Sequence, residues 1–243
     1  MSSSIPFTHE NLDFYLKELA KEFRKIGGKN MPAEIILIGG ASILANYGFR
    51  DMTYDMDAII SASSAIKDAI NHVGDKYGLP NGWLNTDFVK TKSYTPKLIE
   101  FSVYYKTFSN ILTVRTVTAE YLVAMKLKSG RQYKNDLSDI VGIISEHSKK
   151  GKPLIFTQIE KAVCDLYGSW DGISTELREF IISVLEQPDY TKLYEHYRKS
   201  ENQSKDILLE FERDHPNSLN EDNINAVLEK ARHKKKSRNE PER

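Results

Sequence analysis

The sequence predicts an α+β fold, a small mixed sheet flanked by helices, with a helical region after it. Three observations predict this. Up to about residue 150, short apolar runs bounded by glycine and proline alternate with amphipathic helical patterns. From residue 156 onward the pattern is helical, with no convincing strand. Between them in importance stands residues 35–60, IILIGGASILANYGFRDMTYDMDAII, which compress a strand, a turn, a short helix and a second strand into one unit.

Each element has its own signal. Residues 9–26 place Leu12, Tyr15, Leu16, Leu19 and Phe23 at three- and four-residue spacing, an amphipathic helix ended by Gly27-Gly28. Residues 34–38, EIILI, lie between Pro32 and Gly39 and read as a buried strand. Residues 42–47 suit a short helix closed by Gly48, residues 54–61 a second strand, and residues 63–77 a helix with Ile66, Ile70 and Val73 inward. After a turn rich in Gly, Pro and Asn come two strand candidates, 97–105 and 111–117. Helices are expected over 118–129 and 136–147, and Gly151-Lys152-Pro153 marks a break. Beyond it, 157–167, 174–186, 190–211 and 220–232 read as helices, and HKKKSRNEPER has the composition of a disordered tail. The organisation expected is a mixed domain over 1–150, a helical domain over 151–232 and a disordered basic tail over 233–243.

Composition narrows the function. Of 243 residues, 34 are Lys or Arg and 34 are Asp or Glu, so net charge points to neither a nucleic-acid nor a membrane partner. Cys164 is the only cysteine, which excludes an intramolecular disulfide framework and a cysteine-rich zinc site. The histidines are scattered, with no two at helical ligand spacing. The opening MSSSIPFTHENLDF has neither the cationic nor the apolar region of a signal peptide, and no apolar run reaches the ~18 residues of a membrane span. A cytosolic location is the default expectation.

The chemistry concentrates in residues 39–57. In a strand, side chains two apart share a face, so Asp55 and Asp57 project together. Paired carboxylates suit hard cations such as Mg²⁺, which take oxygen ligands and share them with substrate phosphates. Gly39 and Gly40 let the backbone approach a ligand closely, and a helix starting just after them presents free N–H groups to phosphate. Ser42 would add a hydroxyl there, while Arg50 and Thr53 would orient the loop or the nucleotide. A Gly-Gly turn alone, or an Asp-x-Asp alone, is commonplace; the two in this order with a helix between them are not. A dinucleotide-binding oxidoreductase is disfavoured, because the full G-x-G-x-x-G spacing is missing and the aspartates have no role in it.

Strand, Gly39-Gly40, Ser42, short helix and a strand bearing Asp55-x-Asp57 resemble the nucleotidyltransferase superfamily that includes DNA polymerase β. The spacing of Arg50, Thr53, Asp55 and Asp57 is similar to the bacterial branch of AbiEii-like nucleotidyltransferases, whose members include toxins of toxin–antitoxin systems. A second block, TAEYLVAMKLKSGRQYKNDLSDIVGII, matches that branch at Lys126, Arg131, Lys134, Asp136 and Asp139. The resemblance covers about residues 34–145. It implies transfer of a nucleotidyl group from an NTP to a hydroxyl, with Mg²⁺ or Mn²⁺ on Asp55 and Asp57. It also implies Lys126 neutralising triphosphate charge, Asp136 fixing that lysine or orienting the acceptor, and a third metal-binding carboxylate on a later strand, for which Glu100 is the candidate. The acceptor stays open among a tRNA 3′ end, a protein hydroxyl and a small alcohol; Arg131, Lys134 and the run of Lys234, Lys235 and Lys236 would suit RNA phosphates. An antitoxin protein is a further partner the resemblance implies. The alternative reading is a catalytically inactive member of the same fold, serving as a binding or regulatory module.

Overall fold

The computed structural model describes residues 5–27, 29–187, 189–220 and 223–239. Gly28 and the last four residues of the expected tail lie outside them. The strands are β1 (Phe7–Thr8), β2 (Ala33–Leu37), β3 (Met52–Thr53), β4 (Met56–Ser61), β5 (Leu84–Asn85), β6 (Ser102–Phe108) and β7 (Leu112–Val117). The helices are α1 (His9–Gly27), α2 (Gly39–Asn46), α3 (Ala65–Tyr77), α4 (Ala119–Ser129), α5 (Asp136–Lys149), α6 (Phe156–Tyr167), α7 (Thr175–Leu185), α8 (Tyr190–Asp214) and α9 (Ile224–Asn239). Five strands form a mixed sheet in the order β5-β4-β2-β7-β6, and β1 pairs with β3 as a small separate ribbon. In the centre, β2 runs antiparallel to β4 and parallel to β7.

Strand alternation sorts side chains to the two faces. Ile35, Leu37, Met56, Ala58, Leu112 and Val114 form one core with α1 and α3. Ile36, Ile38 and Val117 join a second core with α4, α5, α6 and α7. Asp57 stands between Met56 and Ala58 in the period-two pattern, so it turns away from the first core toward the face that carries α4 and α5. Helix α4 is apolar nearly all round, with every residue from Tyr121 to Leu127 buried. A helix of that kind has to be covered on several sides, and the sheet, α5 and α6 cover it. The break at 151–153 therefore separates elements of the chain but not cores, since α6 packs on α4, α8 on α5 and α7 on α6. Among the described residues no helix is long and apolar enough to cross a membrane.

Two expectations are corrected. The strand expected over 97–105 starts only at Ser102, because Pro96 opens a 3₁₀ turn, Pro96–Ile99, in which Thr95 Oγ1 accepts from Lys97 N. Proline is preorganised for a first helical position, and this local preference overrides the apolar pattern. The strand expected over 54–61 starts at Met56, so Asp55 stands just before β4 rather than within it.

Helix α8 docks on α5 through Glu201, whose carboxylate accepts from Leu137 N at 2.7 Å and Ser138 N at 3.3 Å. Burial pushes this carboxyl up to about 7, against the pull of the Ser138 hydroxyl and the Leu137 and Ser138 N–H groups. The folded state thus binds the proton more tightly than the unfolded chain, so this contribution is full below about pH 4.5 and is lost as pH rises through 7. Thermal or urea unfolding between pH 5 and 8 is expected to show stability falling with pH by up to ~3 kcal/mol. Glu201→Gln should flatten that slope.

Candidate active site

The sheet brings the glycines and the aspartates together by one backbone bond. Ile38 N donates to Asp57 O at 2.8 Å, so the residue before Gly39 lies beside Asp57. Gly39 has φ +52, a left-handed conformation that costs ordinary residues ~1–2 kcal/mol. That turn swings the chain from β2 directly into α2, which starts at Gly39 itself rather than at Ser42. No side chain caps this helix, and its first N–H groups have no intrahelical partner. Gly40 is required for a different reason: a Cβ there would lie 2.8 Å from Arg50 Nη2 and 3.0 Å from Thr53 Oγ1.

Asp55 is exposed just before β4, and Asp57 is half-buried on it. Burial raises the Asp57 carboxyl pKa, and the Asp55 charge raises it further; Lys134 and Arg131 pull it back. Both cations come from the segment between α4 and α5. Burial lowers the Lys134 pKa, and Arg131 beside it adds to this, while Asp55, Asp136 and Asp57 oppose it. Asp87 also acts on Asp57 and had no signal in the sequence. It follows β5, where Asn85 is the partner of Asp57 across the ladder, and its own N–H donates to Asn85 Oδ1 at 2.8 Å. Arg131 also lines a groove of about 120 Å³ with Thr91, Lys92, Ser93, Gly130 and Tyr133.

Behind this surface lies a buried network of charges. Lys126 is only 8 % exposed, and its Nζ is 2.8 Å from both Asp136 Oδ1 and Asp139 Oδ2. Asp139 also pairs with Arg50 Nη1 at 2.6 Å, and Asp136 with Arg131 Nε at 3.0 Å. Burial opposes the charged form of Lys126, but Asp136 and Asp139 outweigh it and hold its pKa up. Burial likewise opposes charge on Asp136, yet Lys126 and Arg131 keep its carboxyl well below the usual range.

The other expected site residues lie in this network or near it. Lys126 is enclosed between two aspartates, both of which it pairs with. Asp136, 0 % exposed, holds Lys126, the first of the two roles expected of it, and also Arg131. Ser42 is 0 % exposed and accepts from Val117 N at 3.2 Å, which pins α2 to β7 rather than facing phosphate. Arg50 donates from Nε to Met52 O and from Nη1 to Asp139, and Thr53 Oγ1 donates to Asp55 O. Both shape the chain around β3. Glu100 is exposed at the end of the 3₁₀ turn, before β6 rather than within it.

Among the described residues no three His, Cys, Asp or Glu side chains converge to hold a metal by themselves. Asp55 and Asp57 fit a different arrangement. Mg²⁺ is commonly held by one or two carboxylates with substrate phosphates completing its shell. Burial first, and the Asp55 charge second, disfavour a bare carboxylate at Asp57, and a bound cation would offset both.

A family model described as a nucleotidyltransferase of unknown function (DUF6036) matches residues 15–146, more than half of the chain. No curated protein and no solved structure gives a significant match.

Removing the repulsion at Asp57 should stabilise the unliganded fold. Asp57→Asn is expected to raise the melting temperature, by the equivalent of roughly 0.5–1 kcal/mol. Gly39→Ala should lower stability by ~1–2 kcal/mol through its positive φ. Differential scanning calorimetry of the two variants reads both signs.

Proposed function

From the premise that the chain belongs to this nucleotidyltransferase family, we propose that it moves a nucleotidyl group from an NTP to a hydroxyl acceptor. One observation carries the reading: Asp57 is bonded through its carbonyl to Ile38, which sets an acidic pair beside an uncapped helix start at Gly39-Gly40. The N–H groups of the first turn of α2 would receive triphosphate oxygens. Asp55 and Asp57 would hold Mg²⁺ or Mn²⁺, which when bound supplies charge neutralisation and a more acidic acceptor hydroxyl. In the transfer the acceptor oxygen bonds to the α-phosphorus, and the bond from that phosphorus to the β-phosphate bridge breaks, releasing pyrophosphate. Lys134 and Arg131, whose charges act on Asp57, would offset the negative charge of the triphosphate, and the groove beside Arg131 would offer the acceptor polar and cationic contacts.

The finer assignment, to the AbiEii-like toxin branch with tRNA or a protein as acceptor and an antitoxin as partner, rests on residue spacing. It gains support from the second block acting as one unit, since Lys126, Arg131, Asp136 and Asp139 share one ion network. The exposed position of Glu100 favours a second reading, a catalytically inactive fold that serves as a binding or regulatory module.

Radiolabelled NTPs with Mg²⁺, incubated with total RNA, protein extract and small alcohols, test the choice. Transfer is expected for the wild type and its loss, by at least ~10³-fold, for Asp57→Ala. A folded protein with no transfer to any acceptor and little or no calorimetric binding of Mg²⁺–NTP would select the second reading.

A further inference from the structure

Helix α8 reaches the surroundings of the site at two places. At the first, Glu201, 2 % exposed, lies across the opening turn of α5. Its Oε1 accepts from Leu137 N and Ser138 N, and its Oε2 from the Ser138 hydroxyl. Asn135, the residue in the cap position of α5, makes no side-chain cap bond, so a carboxylate from another helix fills that role. At the second place, seven residues earlier on α8, Tyr194 Oη donates to Phe49 O at 3.2 Å. The Phe49 ring in turn lies against Gly142 of α5, where a Cβ would come within 2.4 Å of it.

These contacts bracket Arg50. Phe49 precedes it in the chain, and Asp139, in the turn that Glu201 caps, is its 2.6 Å partner. The Arg50 guanidinium is the group that fills the space beside Gly40. Asp136, in the same turn, holds Arg131, whose charge acts on Asp57.

Resting on the nucleotidyltransferase reading above, we propose that Glu201 is a positioning residue for the nucleotide seat. From α8 it sets the first turn of α5, and through Asp139 and Arg50 it sets the Gly39-Gly40 turn that receives the triphosphate. The helical region beyond residue 153 is then a working part of the site.

Two measurements on the full chain test this: hydrogen–deuterium exchange of residues 38–53 in the unliganded protein, and calorimetric binding of a non-hydrolysable ATP analogue with Mg²⁺. Glu201→Ala should speed exchange across 38–53 and weaken nucleotide binding, each by about tenfold, the effect of losing a typical cap. Glu201→Gln keeps an acceptor for both N–H groups and should restore both readouts to within about twofold. Leu208→Ala, a loss of packing elsewhere on α8, should leave 38–53 as in the wild type. If Glu201→Ala fails to fold, Glu201→Asp, which withdraws the carboxylate by one methylene, takes its place with the same expected direction. Unchanged exchange and affinity in the Glu201 variant overturn the proposal. So does Leu208→Ala reproducing its effect, which would leave Glu201 only a general docking contact. A wild type that binds no nucleotide defeats the functional reading instead, and the exchange comparison alone then decides the coupling.

Discussion

The ammonium of Lys126, buried in an otherwise apolar helix and shared by Asp136 and Asp139, is the interaction on which the rest of the site depends. A charge in such a layer is tolerated only when paired, and stripping one partner from a buried pair costs ~3–5 kcal/mol. Two aspartates three residues apart on α5 meet the lysine together, as side chains at that spacing on a helix do. Each aspartate has a second cation. Asp139 takes Arg50 and Asp136 takes Arg131, so the network leaves the core in two directions. One branch ends beneath Gly40 and the other beside Asp57. The two halves of the candidate site are therefore referenced to a single buried charge.

What the network holds is a surface with an energetic cost. Asp57 is half-buried beside another carboxylate, and α2 begins with unbonded N–H groups and no cap. Both features are unfavourable in the unliganded protein, and both would be relieved by a ligand carrying cations and phosphates. The pieces come from distant parts of the chain: the turn after β2, the start of β4, the segment after β5 and the connection between α4 and α5. The sheet register aligns the first two, and the ion network aligns the last with them.

The parts legible in the sequence were those governed by local geometry. A positive φ needs glycine, so Gly39 stood out, whereas Gly40 answers to crowding by Arg50 and Thr53. The acidic pair was expected from strand alternation, although β4 starts only at Met56 and Asp55 stands before it. Lys126 and Asp136 were visible as a pair, but spacing says nothing about burial, and burial decides whether a lysine meets substrate or supports the protein. Glu100 was misread because its apolar neighbours suggested a strand, while Thr95 and Pro96 carried a stronger local instruction to turn. Asp87 was hidden by the shortness of β5, two residues held in place by pairing with β4. Glu201 sits among many charges on α8, and only its partners on α5 distinguish it.

The cap that α8 lends to α5 also bears on how the molecule can be divided. A fragment ended after α5 would keep the glycine turn, the aspartates and the whole Lys126 network in its sequence. It would nonetheless release Leu137 and Ser138 N–H from their acceptor and bare the flanks of α4 and α5 that α6 and α8 cover. Apolar surface uncovered on that scale invites self-association. The smallest autonomous version of this protein thus extends well past the last residue that carries chemistry.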